Sequence, residues 1–434
     1  ALVLAPGTVK WYIKQIYGKL DVHSREDVIE RAHALGLVRK PEPIPARTSK
    51  SPAPQEPTLV VKAMPSSLGF APGELPTHPT PFIGRDHELV NLLNLFANQN
   101  TRLITLLAPG GMGKSRIALE TARRLTSDHS EKVVYVPLAA ISSAENLLST
   151  VAEALHFVPT GSASLQTQLV AFLAPKSLIL VLDNFEQILD AASLVSELLE
   201  SAPKLRLLIT SRERLNLSAE TVFSIRGMDY PASVPSIQRS ELLKLSAVQL
   251  FLDHAHRVRP HIDLEEIDLH AVGHICRLVE GMPLGLILAA SWIDLLTPVE
   301  IVDELLRSAD ILESRLADMP SRLRSIRAVF ESSWSRLSET EQTALARLSV
   351  FRGGFTRGAA QTVAQAHLRT LAGLINKSLL WTDLSGRYSI HELIRQYAAE
   401  RLELSGDADH IRSTHSEYYA DALSKRVKDL EGRN

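Results

Sequence analysis

Apolar runs and helical periods alternate along the middle of this chain. Residues 102–108, 132–138, 178–183 and 205–211 are short runs rich in leucine and β-branched residues, with a fifth at 222–226. Between them, residues 115–126, 145–156, 165–173 and 191–201 carry apolar positions at helical spacing. Strands that alternate with helices need crossover connections, so this pattern predicts a parallel sheet covered by helices on both faces. From about Leu242 onward the period is helical, apart from an interruption at 379–390. No repeat of solenoid length is present.

The pattern fails between residues 41 and 81, which hold 11 of the 23 prolines. Such a segment cannot bury a core and reads as a linker. It sets apart a small unit, 1–40, whose residue Thr8 is a plausible N-cap for an amphipathic helix with Val9, Ile13, Ile16 and Leu20 on one face. A second helix is expected over 24–35, ended by Gly36. At 434 residues the chain is too long for one ordinary core, so three or more units are expected.

Charge and cysteine usage narrow the classes further. A net charge of −2 gives no bulk attraction to nucleic acid, so any such contact must be a local patch. The single cysteine, Cys276, rules out an internal disulfide framework and suits a reducing cytoplasm. No apolar run is long enough for a membrane helix, and no secretory leader is visible. The chain opens inside an apolar stretch without Met, which suggests a fragment of a longer polypeptide.

The chemistry concentrates at the ends of the apolar runs. Ala108-Pro109-Gly110-Gly111-Met112-Gly113-Lys114-Ser115 joins a strand to a helix and fits the phosphate-loop pattern, with Ala in place of the more common first Gly. The small residues let consecutive N–H groups converge on an anion at a helix N-terminus. Lys114 is expected to reach the β- and γ-phosphates of ATP or ADP, with Ser115 on Mg²⁺ and Arg116 beside it. The run 178–183 delivers Asp183 to the sheet's carboxyl edge, where ligands of open α/β sheets bind, as a second Mg²⁺ ligand. Asn184 stands where many ATPases carry a second acid, and Glu186 is the nearest alternative base, so slow hydrolysis is expected. Arg212, closing the run 205–211, is a candidate sensor of the γ-phosphate or else a surface charge.

The order of these motifs resembles the signal-transduction ATPases called STAND, in their NB-ARC-like branch, over about residues 79–404. Phe82-Ile83-Gly84-Arg85-Asp86 is similar to that family's Phe-Val-Gly-Arg-Glu motif near the adenine. Gly281-Met282-Pro283-Leu284 is similar to its Gly-Leu-Pro-Leu, whose Pro packs on the base. Ser389-Ile390-His391-Glu392-Leu393 resembles its Met-His-Asp motif, with only His391 carried over cleanly, to the β-phosphate of ADP. His391 lies at a strand-to-helix junction, and the bland alternative is that it caps the following helix. The resemblance implies a P-loop nucleotide-binding domain at 79–230, a helical subdomain at 231–318 and a winged helix at 319–404. A further helical region would start at 405–434.

Within 1–40, the pattern around Thr8-Val9-Lys10 and Ala34-Leu35-Gly36-Leu37 resembles the second half of a LuxR-type helix-turn-helix. That resemblance implies DNA contacts from Thr8, Lys10, Trp11 and Lys14, with the preceding positioning helix nearly absent. The combined expectation is an ATP/ADP-switched, cytoplasmic transcriptional regulator. It would bind DNA through a complete N-terminal unit, self-associate with ATP, and sense an unknown inducer through a C-terminal region. The alternatives are a scaffold ATPase that never touches DNA and an ATP-consuming enzyme. Against the enzyme stands the lack of any constellation for a phosphoryl acceptor.

Overall fold

The computed structural model describes residues 75–129, 132–141, 143–234, 237–261, 268–313, 320 and 323–431. All lie in the second of two compact units, Ser66–Asn434. The expected helix-turn-helix of 1–40, with Thr8, Lys10, Trp11 and Lys14, lies outside the described residues, as does the linker up to residue 74.

Five strands, β1 (Leu103–Leu107), β2 (Val133–Pro137), β3 (Leu178–Asp183), β4 (Leu205–Ser211) and β5 (Glu220–Ser224), form one parallel sheet in the order β2-β3-β4-β1-β5. Side chains of a strand alternate between faces, and the core divides accordingly. Ile104, Leu106, Ile179, Val181 and Leu208 pack on one face with α1 (Asp86–Ala97) and α2 (Lys114–His129). Leu103, Leu178, Leu180, Leu182, Leu207 and Ile209 pack on the other with α3 (Glu145–Ala154), α4 (Leu165–Leu173) and α5 (Ala192–Ser201). Burial on both faces is why β1 and β3 are apolar apart from Thr105 and the terminal Asp183. The expected α/β layering is therefore present.

Beyond the sheet the described chain is helical. It continues through α6 (Arg239–Leu242), α7 (Ser246–Val258), α8 (Leu269–Leu278), α9 (Pro283–Ala290) and α10 (Pro298–Arg307). Asp268 caps α8, and Thr297 with Glu300 forms a capping box on α10, so local polar residues set these starts. Gly281 holds a positive φ of 65° and sends its carbonyl to the Met228 N–H at 2.8 Å, which docks the α8–α9 turn on the segment leaving β5. A β-carbon there would lie 2.2 Å from the Met228 carbonyl oxygen, so only glycine fits.

The winged-helix part opens with α11 (Ile326–Trp334). It continues with α12 (Glu339–Leu348), α13 (Arg357–Ala364), α14 (Leu368–Asn376) and a hairpin of β6 (Trp381–Thr382) and β7 (Tyr388–Ser389). Next come α15 (Glu392–Ser405) and α16 (Ala408–Glu431). Phe355 stacks on Tyr388 with ring centroids 5.7 Å apart, which pins the hairpin to the helices. The interruption expected at 379–390 is this hairpin, whose strands cover only 381–382 and 388–389. The helix predicted to run to 156 stops at Ala154, because His156 turns left-handed with φ 52°. The fifth strand starts at Glu220 rather than 222, in register with Leu103 of β1.

Candidate nucleotide site

All five strands are parallel, so β1, β3 and β4 deliver their carboxyl ends to one edge, where the strand order places β4 between the other two. The loop from Ala108 to Gly113 crosses this edge and enters α2. Gly113 holds φ 83°, which a side chain would strain. Gly110 is required for a different reason. A β-carbon there would lie 2.5 Å from Cγ1 of Val329 on α11 and 3.0 Å from Cζ of Arg212. The Gly111 carbonyl accepts from the Leu284 N–H at 3.1 Å, and Pro283 opens α9 directly over the loop. The loop is thus covered by both the helical subdomain and the winged-helix part.

Lys114 is buried, and its ammonium donates to the carbonyls of Ala108 (2.7 Å) and Pro109 (3.0 Å) within its own loop. Burial pushes its pKa down to about 8, against the pull of Glu186. A buried cation on a glycine loop at a helix N-terminus fits a phosphate, which would restore the charge balance. Ser115 follows in the first turn of α2. Asp183 is buried, and both its oxygens are held by neutral hydroxyls: Tyr135 of β2 at 2.8 Å and Thr210 of β4 at 2.6 Å. Those hydroxyls orient the carboxylate without cancelling its charge, which suits a divalent cation shared with Ser115.

Glu186 is also buried, and its Oε2 has no hydrogen-bond partner. Its Oε1 pairs with Nε of Arg212 at 3.1 Å. The same guanidinium donates through Nη1 to the Val329 carbonyl (3.2 Å) and the Ser333 hydroxyl (3.0 Å). Arg212 is therefore no surface charge; it joins the sheet edge to α11. Ser378 donates to the Arg212 carbonyl at 2.7 Å, a second link to the winged-helix part.

A cleft enclosing about 600 Å³ of empty space, part of it open to solvent, runs from Met112, Gly113 and Ile117 to α7 and α9, with Phe82 and Ile83 on its rim. Arg116 donates to the Thr80 hydroxyl (2.6 Å) and to the carbonyls of Thr80 (3.0 Å) and Pro81 (2.7 Å), strapping this segment over the cleft. Gly84 and Arg85 both hold left-handed backbone. The buried Arg85 guanidinium reaches Glu88, the Gly227 carbonyl and the Met112 carbonyl. His391 is buried as the N-cap of α15; its Nδ1 accepts from the Leu393 N–H at 3.3 Å. Its Nε2 faces the α8–α9 turn, beside the Val279 backbone and 3.8 Å from Oε2 of Glu280 before Pro283. Burial pushes His391 down to about 4 and Glu280 up to about 7.

No protein-family model matches the chain. A candidate HTH-type transcriptional regulator of Mycobacterium tuberculosis is 35% identical over 329 residues, covering 73% of this chain and 36% of that protein. An uncharacterized protein of the same organism is 31% identical over 354 residues, covering 79% of this chain and 86% of its own length. The chain belongs to the family of these mycobacterial proteins. The regulatory protein AfsR of Streptomyces coelicolor is 25% identical over 368 residues, 78% of this chain and 34% of AfsR. The chain thus spans about a third of the length of the two regulators it matches. Among solved structures, a signal-transduction ATPase with numerous domains (STAND) and a tetratricopeptide sensor, from Pyrococcus horikoshii, is 14% identical with a TM-score of 0.33, over 82% of this chain and 47% of that one. Cdc6p of Pyrobaculum aerophilum is 15% identical with a TM-score of 0.38, over 77% and 97%. The strand order and register, rather than these distant likenesses, define the fold.

In this member of the family the structure brings the phosphate loop, Asp183, Glu186, Arg212 and Pro283 to one place, with Arg85 and Arg116 along the cleft. His391 is set against the α8–α9 turn. Sequence reasoning missed Tyr135, Thr210 and Ser333. Thr210 carried a usable signal, since it directly precedes Ser211-Arg212 at the end of an apolar run. Tyr135 and Ser333 had none, because only the β2–β3 pairing and the docking of α11 give them their partners. Among the described residues no helix is long and apolar enough to cross a membrane.

Proposed function

We propose that this chain is the switch region of an ATP/ADP-controlled transcriptional regulator. The observation that carries the reading is the double clamp of α11 on the phosphate loop: Val329 against Gly110, and Ser333 with the Val329 carbonyl on Arg212. Any change at the phosphate end must be felt by the winged-helix part, and the reverse holds by linkage. Lys114 and the loop N–H groups would hold the β- and γ-phosphates, and Ser115 with Asp183 would hold Mg²⁺. When bound, Mg²⁺ neutralises charge shared between the β- and γ-phosphates. Glu186 is the base nearest for water, and the pairing of its Oε1 with Arg212 lowers its basicity, which agrees with slow hydrolysis and a switch rather than a consumer of ATP.

In this reading ADP favours the clamped form, held further by His391, and ATP with an inducer favours an open, self-associating form in the cytoplasm. DNA binding falls to the unit containing Thr8, Lys10, Trp11 and Lys14. The names of the mycobacterial relative and of AfsR support a regulatory role. Calorimetry with ADP and ATP on the whole chain tests the reading, and Lys114→Ala should lower affinity for both by at least about a hundredfold, since charge-assisted contacts to phosphate vanish. Unchanged affinity would remove the nucleotide site, and rapid steady turnover by the chain alone would favour an enzyme.

A further inference from the structure

A second opening lies away from the nucleotide cleft, in the helical subdomain. Between α8 and α10, with Val234 alongside, runs a groove of about 590 Å³. Small-molecule sites fall in that range of volume. Its apolar wall is Val234, Ala271, Val299 and Val302. Ala271 and Val302 are buried, whereas Val299 leaves 49% of its surface open. The polar side comes from one helix: His270, His274 and Arg277 recur at i, i+4 and i+7 along one face of α8. Asp268 is spent on the cap of that helix, its Oδ1 accepting from the His270 and Ala271 N–H groups at 2.9 and 3.0 Å. The side chains of His270, His274 and Arg277 make no hydrogen bond or ion pair with any of the described residues. A lone arginine on such a face would be an ordinary solvated charge. Here three donor side chains stand in a row beside an aliphatic wall.

That combination calls for a ligand with an anionic head and an aliphatic body. An imidazole always carries at least one N–H, and a guanidinium presents a planar pair of N–H groups that matches a carboxylate. We propose that this groove binds a small amphipathic carboxylate, its head on Arg277 and the imidazoles and its chain against Val299 and Val302. Burial of the chain supplies affinity, and Arg277 selects the charge. The groove is also placed to regulate. From Arg277 the chain enters the turn whose Gly281 carbonyl accepts from the Met228 N–H, and Leu284 beyond it donates to the Gly111 carbonyl of the phosphate loop. An occupant that shifts α8 therefore shifts the cover of the loop, which makes the carboxylate an effector of the nucleotide switch. The binding step stands on the groove alone; the effector step rests on the nucleotide reading above.

Calorimetry on the whole chain without nucleotide tests the site with two probes, octanoate and octan-1-ol, which share a chain and differ in the charged head. Octanoate should bind, and Arg277→Gln should weaken it by about 10- to 100-fold, the value of a charge-assisted contact, without changing octan-1-ol. Val299→Asp, which puts a carboxylate on the apolar wall, should weaken both. Both positions are exposed, so neither change should disturb the fold. No binding of octanoate, equal losses for the two probes in Arg277→Gln, or octanoate affinity that survives Val299→Asp overturns the site. Binding of a Glu-rich peptide in place of octanoate would overturn it in favour of a protein-docking surface. The effector step is read from ADP titrations with and without saturating octanoate. A change of about fivefold or more in ADP affinity that disappears in Arg277→Gln supports it. Octanoate binding with no change in ADP affinity overturns the effector step alone. If ADP does not bind at all, the nucleotide reading falls and the effector step with it, while the octanoate titration still decides the groove.

Discussion

Replacing Ser333 by Ala cuts one thread of the clamp between the sheet edge and α11 and changes little else. Serine and alanine are nearly the same size, so no sizeable cavity forms, and alanine suits a helix at least as well. What is lost is the 3.0 Å bond from Arg212 Nη1 to the hydroxyl. A hydrogen bond to a charged group contributes about 1.5–3 kcal/mol. Arg212 keeps Glu186 and the Val329 carbonyl, so the donor is not stranded, and a loss of about 1–1.5 kcal/mol is the sounder figure. If the contact exists only when α11 is docked, the undocked population rises about 5- to 12-fold. Val329 provides the reporter, because it is fully buried against Gly110 and the native Cys276 is buried too, with its thiol pKa pushed up. In a Val329→Cys background, thiol labelling should accelerate by that factor when Ser333→Ala is added. The same addition in an Arg212→Ala background should do nothing further, since the partner is already gone. Equal labelling rates with and without Ser333→Ala, or an equal acceleration in both backgrounds, would refute the clamp.

Three other changes probe the same site. Asp183→Asn should weaken Mg²⁺-dependent ATP binding by about 10- to 100-fold and ADP binding less, because the cation bridges the two terminal phosphates only in ATP; equal losses in calorimetry with and without Mg²⁺ would count against a metal role. Glu280→Gln should stabilise the fold at pH 8 by about 1–3 kcal/mol and make little difference at pH 4. Burial raises this carboxyl from 4.5 to about 7, so the folded state holds a proton that the unfolded state has released between those values. Wild-type stability therefore falls as pH rises through that window, while the amide variant's does not, and melting curves at the two pH values check the sign. His391→Ala should cost about 1 kcal/mol of thermal stability through the lost cap on α15 whichever nucleotide is bound. It should also speed release of a fluorescent ADP analogue by about 10- to 100-fold if the imidazole holds the β-phosphate as well; an unchanged release rate would leave His391 with the cap alone.

The parts legible in the sequence are those whose cause is local. Strand and helix periods over 102–211 follow from a sheet buried on both faces, and the phosphate loop is a contiguous string whose small residues answer to its own backbone. The helix α1 was not anticipated because it lacks a start signal: Arg85 occupies its N-cap in left-handed backbone with no side-chain cap. That geometry serves the cleft, where the Arg85 guanidinium meets the Met112 carbonyl, rather than the helix. Thr210 can hold Asp183 only because β3 and β4 run in parallel with Leu182 opposite Ile209, and that register is not encoded in either strand alone. Ser333 is harder still. A serine inside a helix is an ordinary residue until α11 docks on Arg212. Nucleotide-loop chemistry can be written in one segment because phosphate recognition needs backbone geometry and one cation. Coupling that chemistry to a lid needs pairs drawn from distant segments, each half ordinary by itself.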